Sequence, residues 1–450
     1  MKIEDLMTTR WNNNGTVEAP SLRRPPPGIT SKVVRLENLD PWLAAAMVDD
    51  LFDRRFLWAS DCGRMRFAAL GESRRVGFDD LNSATREAAE DLDLPGSIAG
   101  QLPLGLFVLG ETDQRPSAFD SGEGETGAHC WTPQMLLLAD GDDLVVCCSD
   151  TALRRDLVRR LDLMQKAPGS LPLIGTRSTL RETPLDSRET WKKRVDQALA
   201  GIRQGRLEKL VVSRRLVFGP DQQPFSPWAS AWQTGLANGR TGFSVSTDSG
   251  ASMFIGATPE TLLKIQDGAM TTHALAGTLE RSATLEDFLS FSKLAKEHTI
   301  VADGLVAKLS PLVSDVRPGP LRVRRSGSVA HLETPLAGDL RPGVDPLQIL
   351  SDLHPTAAIG GLPQQAALRA LRHIEPYSRG WFAAPLGWLA ANGNLHAAIA
   401  IRSVWVAAER AVALAGAGIV RGSVAQAEWA ETESKFDNMR AVIREMSFGK

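Results

Sequence analysis

The chain has 450 residues, of which 43% are hydrophobic, so it is long enough to bury one large core or two. Its formal net charge of -2 excludes a strong electrostatic attraction to nucleic acid or to an anionic membrane. Because no apolar run reaches the ~18 residues of a membrane-spanning helix and the N-terminus lacks the apolar segment of a secretory signal, we expect a cytoplasmic protein without nucleic-acid or membrane partners.

The first part of the chain contains short apolar runs separated by loops. Residues 1–30 include NNNG and RRPPPG, which predict a flexible N-terminal arm. Residues 31–186 predict the N-terminal part of an α+β fold. Its predicted strands are FLWAS, RMRFAAL, LPLGLFVL, QMLLLAD and DLVVCCS, and its predicted helices are TREAAEDL and TALRRDLVRRLDLM. A connector rich in Pro, Gly and Thr ends this part, and the candidate functional residues lie in residues 187–450.

A lysine lies inside the first predicted strand of this C-terminal part. Ser187 predicts the start of a helix and Gly205 its end. The run LEKLVVSRRLVF that follows predicts a strand by its β-branched residues, and it contains Lys209. A lysine in a strand normally faces solvent. The alternative is an ammonium held in a pocket, where desolvation favours the neutral amine that acts as a base.

Three further charged residues stand beside apolar segments. Glu260 follows a Thr-Pro step between two predicted strands, where acids are common in ordinary turns. Glu297 adjoins the apolar face of a predicted helix over residues 284–309, where a lone glutamate is usually solvated. Arg402 lies in a very apolar predicted strand. A charge there must be paired or face a cavity, and this favours an anion-binding role over a structural one.

The stretch around which the chain is organised lies near the C-terminus. AGAGIV, residues 415–420, predicts a glycine-rich turn that joins a strand to a helix. Ser423 predicts the cap of that helix, with Gln426 completing a capping box. Apolar residues that recur at helical spacing, from Trp429 to Ile443, predict its buried face.

Charged side chains share a neighbouring face of the same predicted helix. They are Glu428, Glu431 and Lys435, at positions i, i+3 and i+7. Most such groups form a solvated helix pair of little energetic consequence. Beside an amide-rich turn, the alternative is a site that holds a divalent cation together with an anionic ligand.

Taken together, these segments resemble the chorismate-utilising enzymes, which include isochorismate synthases, salicylate synthases and the synthase subunits of anthranilate and aminodeoxychorismate synthases. The resemblance runs in order from about residue 188 to the C-terminus. The segments that carry it are KLVVSR, IGATPE, THALAGT, KEH, HLETPL, HPTAAIGGLP, GWFAAPLGW, AIRS, AGAGIV and EWAETESK. It implies the α+β fold of anthranilate synthase component I: a large, mostly antiparallel two-sheet core with flanking helices and the site in a cleft.

The resemblance also implies roles for the matching positions. Mg2+ would be held by Glu297 and Glu431, with Glu428 in the same site. Lys209 would deprotonate a water for attack at ring C2 of chorismate, and Glu260, as a protonated acid, would help the C4 hydroxyl leave. The residues that would bind the substrate or line its pocket are Arg402, the backbone of Gly416 and Gly418, Lys435, Thr278, His331, Ala358, Ile359, Phe382 and Ile401. Mg2+ prefers oxygen ligands, in agreement with this set of glutamates.

Two positions favour one branch of the family. Its amine-inserting members resemble one another in having Gln where this chain has Lys209, so the lysine implies water as the nucleophile and no glutaminase partner. Salicylate synthases usually have Tyr where this chain has Phe382, which favours isochorismate. The implied protein is a monomeric isochorismate synthase that feeds siderophore, salicylate or menaquinone-type pathways. Salicylate synthase is the alternative; an amidotransferase-dependent synthase and a non-catalytic relative that binds a carboxylate metabolite also stay open.

The chain departs from the family pattern close to the implied metal ligands. The run KLAKEH lacks the acid and the arginine of the common KDRxEH form, and the segment before it is several residues shorter. Arg421 and Gly422 stand where an acid often follows GAGIV. These departures concern the affinity for the metal more than the class of reaction.

Overall fold

The computed structural model describes most of the chain, and the helices and strands below are those of the described residues. These are residues 33–36, 40–46, 48–61, 65–92, 100–111, 119, 127–140, 143–165, 175–176, 180–221, 224–235, 239–246, 251–327, 329–444 and 447–448. The predicted arm at residues 1–30 lies outside them. The helices are α1 (Pro41–Ala46), α2 (Leu81–Asp91), α3 (Thr151–Gln165), α4 (Arg188–Arg203), α5 (Pro227–Gly235), α6 (Leu285–Ser290), α7 (Ser292–Leu309), α8 (Pro346–Leu353), α9 (Gln364–Ile374) and α10 (Ala425–Arg444). Within the described part of the chain, none of them combines the length and apolar character needed to cross a membrane.

The strands cover both halves of the sequence. They are β1 (Val33–Leu36), β2 (Arg55–Ala59), β3 (Arg66–Leu70), β4 (Arg74–Val76), β5 (Gly105–Leu109), β6 (Ala128–Thr132), β7 (Met135–Asp140), β8 (Asp143–Cys148), β9 (Gly175–Thr176), β10 (Leu180–Pro184), β11 (Lys209–Pro220), β12 (Thr241–Ser246), β13 (Ser252–Thr258), β14 (Thr261–Gln266), β15 (Ala269–Glu280), β16 (Val313–Pro318), β17 (Arg322–Ser326), β18 (Val329–Leu340), β19 (Gly361–Leu362), β20 (Pro385–Leu389), β21 (Leu395–Ile399), β22 (Ser403–Ala407), β23 (Arg410–Ile419) and β24 (Ser447–Phe448). Each strand predicted in the N-terminal part is present.

Two antiparallel sheets form the centre of the fold, as the resemblance implied. The first sheet has the order β1-β8-β7-β3-β2-β12-β13-β22-β23-β11-β10, with β19 also paired to β11. The second has the order β16-β18-β15-β14-β21-β20-β5-β6-β4, with β17 also paired to β18. The N-terminal strands extend both sheets, through the pairs β2–β12 and β5–β20.

Side-chain alternation explains why the strand FLWA is apolar without interruption. In β2, Phe56 and Trp58 belong to the apolar core between the two sheets. Leu57 and Ala59 point the other way, into a second apolar layer that includes side chains of α1 and α10. Both faces of this strand are therefore buried, and neither leaves room for polar residues.

Three predicted elements near the candidate site differ from the structure. The helix predicted over residues 284–309 is two helices, α6 and α7, interrupted at Phe291. The predicted turn AGAGIV is wrong, because β23 continues through Ile419. The predicted cap is also wrong: α10 begins at Ala425, and the Ser423 hydroxyl instead accepts a hydrogen bond from the backbone N–H of Val420 at 3.2 Å.

Candidate active site

One cavity, called here the central cavity, brings together residues from distant parts of the chain. Its walls include every residue that the resemblance assigns to the site except Glu428. The structure adds residues that sequence reasoning missed: Val211, Leu275, Ala276, Gly277, Arg379, Ala383, Leu414 and Ala415. Of the added residues, Arg379 alone is charged, and it stands four residues after Glu375, a spacing that could have marked the pair.

The acid and the arginine of the site lie where the chain passes between the two sheets. Glu260 follows β13 of the first sheet and precedes β14 of the second. Arg402 lies on the return path, between β21 of the second sheet and β22 of the first. The two passages are adjacent, because β13 pairs with β22 and β14 pairs with β21. The strand predicted around Arg402 is thus interrupted there, and Arg402 has a positive φ of 53°.

Alternation along β11 and β23 sorts the side chains between the cavity and the core. Leu210 and Val212 pack in the apolar cluster formed with α4, and Lys209 and Val211 face the cavity. The paired strand follows the same rule: Gly416 and Gly418 face the cavity, opposite Ser213 and Val211 in the register. Lys209 has an exposed fraction of 1%, so the solvated position usual for a strand lysine is wrong here.

The glycines of β23 make room for the charged groups. A Cβ atom at Gly418 would lie 2.1 Å from Glu297 Oε1 and 3.0 Å from Lys209 Cε. Any side chain at this position would displace one of these groups. The prediction that Gly416 and Gly418 offer the amides of a turn is corrected accordingly: they are strand residues, and the carbonyl of Gly416 accepts a hydrogen bond from Lys435 Nζ at 2.7 Å.

Two ion pairs lie next to the Gly416–Gly418 segment. Lys209 Nζ is 2.9 Å from Glu297 Oε1, which reaches it from α7. Lys435 Nζ is 2.6 Å from Glu431 Oε1, one turn away on α10. Burial alone would raise the pKa of Glu431, but the Lys435 ammonium and its hydrogen bond hold that pKa below its ordinary value. Glu431 is therefore a carboxylate at neutral pH.

Glu428 does not line the central cavity, although it lies close to Glu431. It lies one turn before Glu431 with an exposed fraction of 1%, and its carboxylate is bonded to the Lys293 ammonium of α7. Burial, and then the neighbouring Glu431 charge, raise the pKa of Glu428. Any part it plays toward a metal remains a prediction.

The donors present fit an oxygen-liganded divalent cation. Glu297 and Glu431 present carboxylates to the same cavity. Burial would lower the pKa of Lys293, but the combined charges of Glu428, Glu431 and Glu297 raise it, which shows that one cation feels all three carboxylates. Within the described residues no three Asp, Glu, His or Cys side chains stand close enough to enclose a metal by themselves. Two carboxylates with water and substrate oxygens completing the shell are typical of Mg2+.

Glu260 has the environment of an acid that keeps its proton. Its side chain is buried, and burial raises its pKa to about 7, although the charges of Arg402 and Lys209 oppose that rise. Both the protonated and the ionised form of Glu260 are therefore accessible near neutral pH. A carboxyl group of this kind can donate a proton to a leaving group.

Arg402 is held at one end of a hydrogen-bond chain across the cavity. Its Nη2 donates to His331 Nε2 at 3.1 Å, and His331 Nδ1 lies 3.2 Å from both the Gly277 carbonyl and Thr278 Oγ1. Burial and the Arg402 charge keep the pKa of His331 well below its ordinary value, so its imidazole is neutral. The Thr278 hydroxyl in turn is hydrogen-bonded to Glu431. The guanidinium is thereby oriented without losing its charge.

One donor of Arg402 remains available to a ligand. Its buried Nε finds no acceptor among the described residues. Burial lowers the pKa of Arg402 to about 10, so it stays cationic at neutral pH. A buried cation with an unused N–H, in the same cavity as Lys435, suits a carboxylate.

The comparisons with known proteins agree with this geometry. The sequence model of a family described as "Chorismate binding enzyme" matches residues 18–444. The chain is 34% identical over 268 residues to isochorismate synthase MenF of Bacillus subtilis, a match that covers 57% of this chain and 56% of the relative. It is also 34% identical over 268 residues to the salicylate biosynthesis isochorismate synthase of Pseudomonas aeruginosa, covering 57% and 55%. The matches thus span little more than half the length of these relatives.

A solved structure resembles the whole fold. It is that of MenF, the menaquinone-specific isochorismate synthase from Escherichia coli, with a TM-score of 0.70 at 23% sequence identity. The likeness covers 94% of this chain and 95% of that structure. At this identity the likeness establishes the fold, and the reaction has to be argued from the site.

Proposed function

Because the chain belongs to the family of chorismate binding enzymes, we propose that it is an isochorismate synthase. It would add water at C2 of the chorismate ring and release the hydroxyl from C4. One observation carries the proposal: Lys209 and Glu260, a base and an acid of the required kinds, line the same cavity. A displacement with one incoming and one departing oxygen needs such a pair.

The proposed proton movements balance. Lys209 would first have to release the proton that it holds in the ion pair with Glu297, and the free amine would then take a proton from the attacking water as its oxygen bonds to C2. Both ring double bonds would shift by one position, C1=C2 to C1=C6 and C5=C6 to C4=C5, and the C4–O bond would break. Glu260 would give its proton to the departing hydroxyl, which leaves as water. A buried carboxyl with a pKa of about 7 is protonated often enough for this role.

The cationic groups would bind the two carboxylates of chorismate. Arg402 has a charge and a free donor for one of them, and Lys435 adds a second cation near Glu431. Glu297 and Glu431 would hold Mg2+, which when bound would neutralise the ring carboxylate. Buried, oriented charges act more strongly than they would in solution.

A single assay tests the proposed function. Purified protein is incubated with chorismate and Mg2+, and the products are separated. Isochorismate is the expected product. Salicylate with pyruvate would instead select the salicylate synthase alternative, and the absence of turnover would leave a non-catalytic binding protein. Anthranilate or aminodeoxychorismate, formed only when ammonia is supplied, would overturn the assignment of water as nucleophile.

The pKa of Glu260 predicts the pH dependence of the reaction. The group is active as the acid, and its protonated fraction falls as the pH rises through about 7. We expect kcat/KM to decline on the alkaline side with an apparent pKa near this value, and Glu260→Gln to lose that decline along with most of its activity. A wild-type kcat/KM that keeps rising through this range would contradict the role of acid.

Arg402→Ala is expected to raise the KM for chorismate while changing the melting temperature little, because it loses the hydrogen bond from Nη2 to the neutral His331 and its Nε has no acceptor among the described residues. Arg214→Ala is the matched control. Arg214 is also buried, but its Nε donates to Thr432 at 2.7 Å and it stacks on Trp429, away from the cavity. The control should lose stability with KM unchanged. The reverse pattern, loss of stability in Arg402→Ala with normal KM, would show that Arg402 is structural.

A further inference from the structure

We propose that Arg379 is a positioning residue. It ties together the three segments that carry Lys209, Ile359 and Phe382, and so fixes the position of the proposed base, Lys209, relative to the other two side chains of the cavity. The inference rests on the proposed function, because it concerns the geometry of water addition. The resemblance assigned no role to this arginine.

Each nitrogen of the Arg379 guanidinium donates to a fixed acceptor. Nη2 donates to the carbonyl of Val211 at 2.6 Å, and Nη1 donates to the carbonyl of Ile359 at 2.9 Å. Nε and Nη2 form a two-point pair with the Glu375 carboxylate, at 2.8 and 2.7 Å. Every guanidinium nitrogen of Arg379 therefore donates to a protein acceptor, which suits a positioning role. Arg402 keeps one donor without an acceptor among the described residues, which suits substrate binding.

The three segments each place a side chain in the central cavity. Val211 is two residues after Lys209 on β11, so both face the same side of the strand. Ile359 lies in a loop next to Gly360, and the carbonyl of Gly360 accepts a hydrogen bond from the Val211 N–H at 2.8 Å. Phe382 is tied to Arg379 directly, through its N–H to the Arg379 carbonyl at 3.0 Å. A shift of the guanidinium would therefore move the Val211 and Ile359 backbones relative to Phe382, which is tied to the Arg379 main chain.

Glu375 holds the guanidinium in place from the side away from the substrate. Glu375 Oε1, which accepts from Arg379 Nη2, also accepts hydrogen bonds from the backbone N–H of Ser213 at 2.7 Å and from the Ser213 hydroxyl at 2.9 Å. Glu375 is 1% exposed and does not line the central cavity. It neutralises Arg379, so this arginine adds no uncompensated charge to the site.

A lysine could not replace this function. Its single ammonium lacks the planar fork that reaches a carboxylate at two points and two carbonyls at once. Displacement of a reacting group by about 1 Å can cost on the order of 100-fold in rate, even when the substrate still binds.

The test compares two buried arginines in one network. In Arg379→Lys we expect kcat for isochorismate formation to fall about 10- to 100-fold, with the Kd of chorismate changed less than about threefold. Arg194→Lys is the matched control. Arg194 is equally buried, donates to the carbonyl of Ser213 at 3.0 Å and pairs with Asp186 at 2.7 Å, but it does not line the cavity. Both variants should lose some thermal stability, and only the first should lose kcat.

Equal kcat values, corrected for the folded fraction, in the two variants and the wild type would overturn the inference. If Arg379→Lys does not fold, Glu375→Gln takes its place, since it weakens the hold on Arg379 without touching the cavity. A fall in its kcat with normal chorismate binding supports the inference, and a normal kcat overturns it.

The wild-type assay distinguishes failure of the proposed function from failure of the positioning role. If the wild type makes no isochorismate, the proposed function is wrong. If the wild type is active and Arg379→Lys is unaffected, only the positioning role is wrong.

Discussion

Replacing Lys209 with alanine or glutamine is expected to slow water addition by about 10²–10⁴-fold, the usual contribution of a positioned base. Lys209 is a buried amine that lines the central cavity together with Glu260, and its nitrogen lies 2.9 Å from Glu297 Oε1. Binding of chorismate together with Mg2+ should survive in both variants, because the proposed base contacts neither carboxylate of the substrate. Turnover is measured by product formation and binding by calorimetry.

The competing explanation is that Lys209 only supplies positive charge beside Glu297. Glutamine would then weaken binding and turnover together, and Lys209→Arg would keep most of the activity, since arginine preserves the charge. Arginine cannot serve as a base near neutral pH, because its guanidinium stays protonated. The kcat and Kd of Lys209→Arg therefore separate the two roles, and an active arginine variant would end the assignment of Lys209 as general base.

Glu431→Gln is expected to abolish Mg2+-dependent turnover and to weaken Mg2+ binding measured by calorimetry in the absence of chorismate. The carboxylate lines the cavity and stays ionised beside Lys435, whereas the glutamine amide has one neutral oxygen to offer. Two other glutamates of α10 serve as comparisons. Glu428→Gln should weaken Mg2+ binding less than Glu431→Gln does, because Glu428 does not line the cavity and is bonded to Lys293. Glu433→Gln should leave it unchanged, because Glu433 pairs with Arg214 and Arg440.

The metal assignment fails if Glu431→Gln turns over chorismate at the wild-type rate in chelator-treated buffer. It also fails if Glu433→Gln weakens Mg2+ binding as much as Glu431→Gln does. The loss of affinity would then come from the reduced negative charge of the helix and not from the loss of a metal ligand. Circular dichroism of each variant establishes that the fold is intact.

The local elements of this protein were determined by the sequence itself. The helix α4 begins at the predicted Ser187, whose hydroxyl accepts the N–H of Thr190 at 3.1 Å. Five strands of the N-terminal part, β2, β3, β5, β7 and β8, were predicted by their apolar runs, and residues 56–59 show why such runs are continuous. Capping, turn chemistry and side-chain periodicity act over a few residues, so they can be read without knowing the fold.

The candidate residues were also found in the sequence, but through ten short segments that resemble one family. No single pattern in the chain distinguished a buried Lys209 or Glu297 from a solvated one. Where local signals competed, they misled. The glycines of AGAGIV predict a turn, yet Gly416 and Gly418 continue a strand, and Gly418 leaves the space that Glu297 and Lys209 fill.

The tertiary structure alone decided which groups meet. Glu260 and Arg402 adjoin because two neighbouring strand pairs pass between the sheets at the same point. Glu428 turns to Lys293, 135 residues away in the chain, and Arg379 reaches the Val211 carbonyl across 168 residues. Such contacts depend on how sheets and helices pack over the whole core. Desolvation raises the pKa of Glu260 and leaves Arg402 as a buried cation that favours an anionic ligand. It acts only once the core has formed around these two residues.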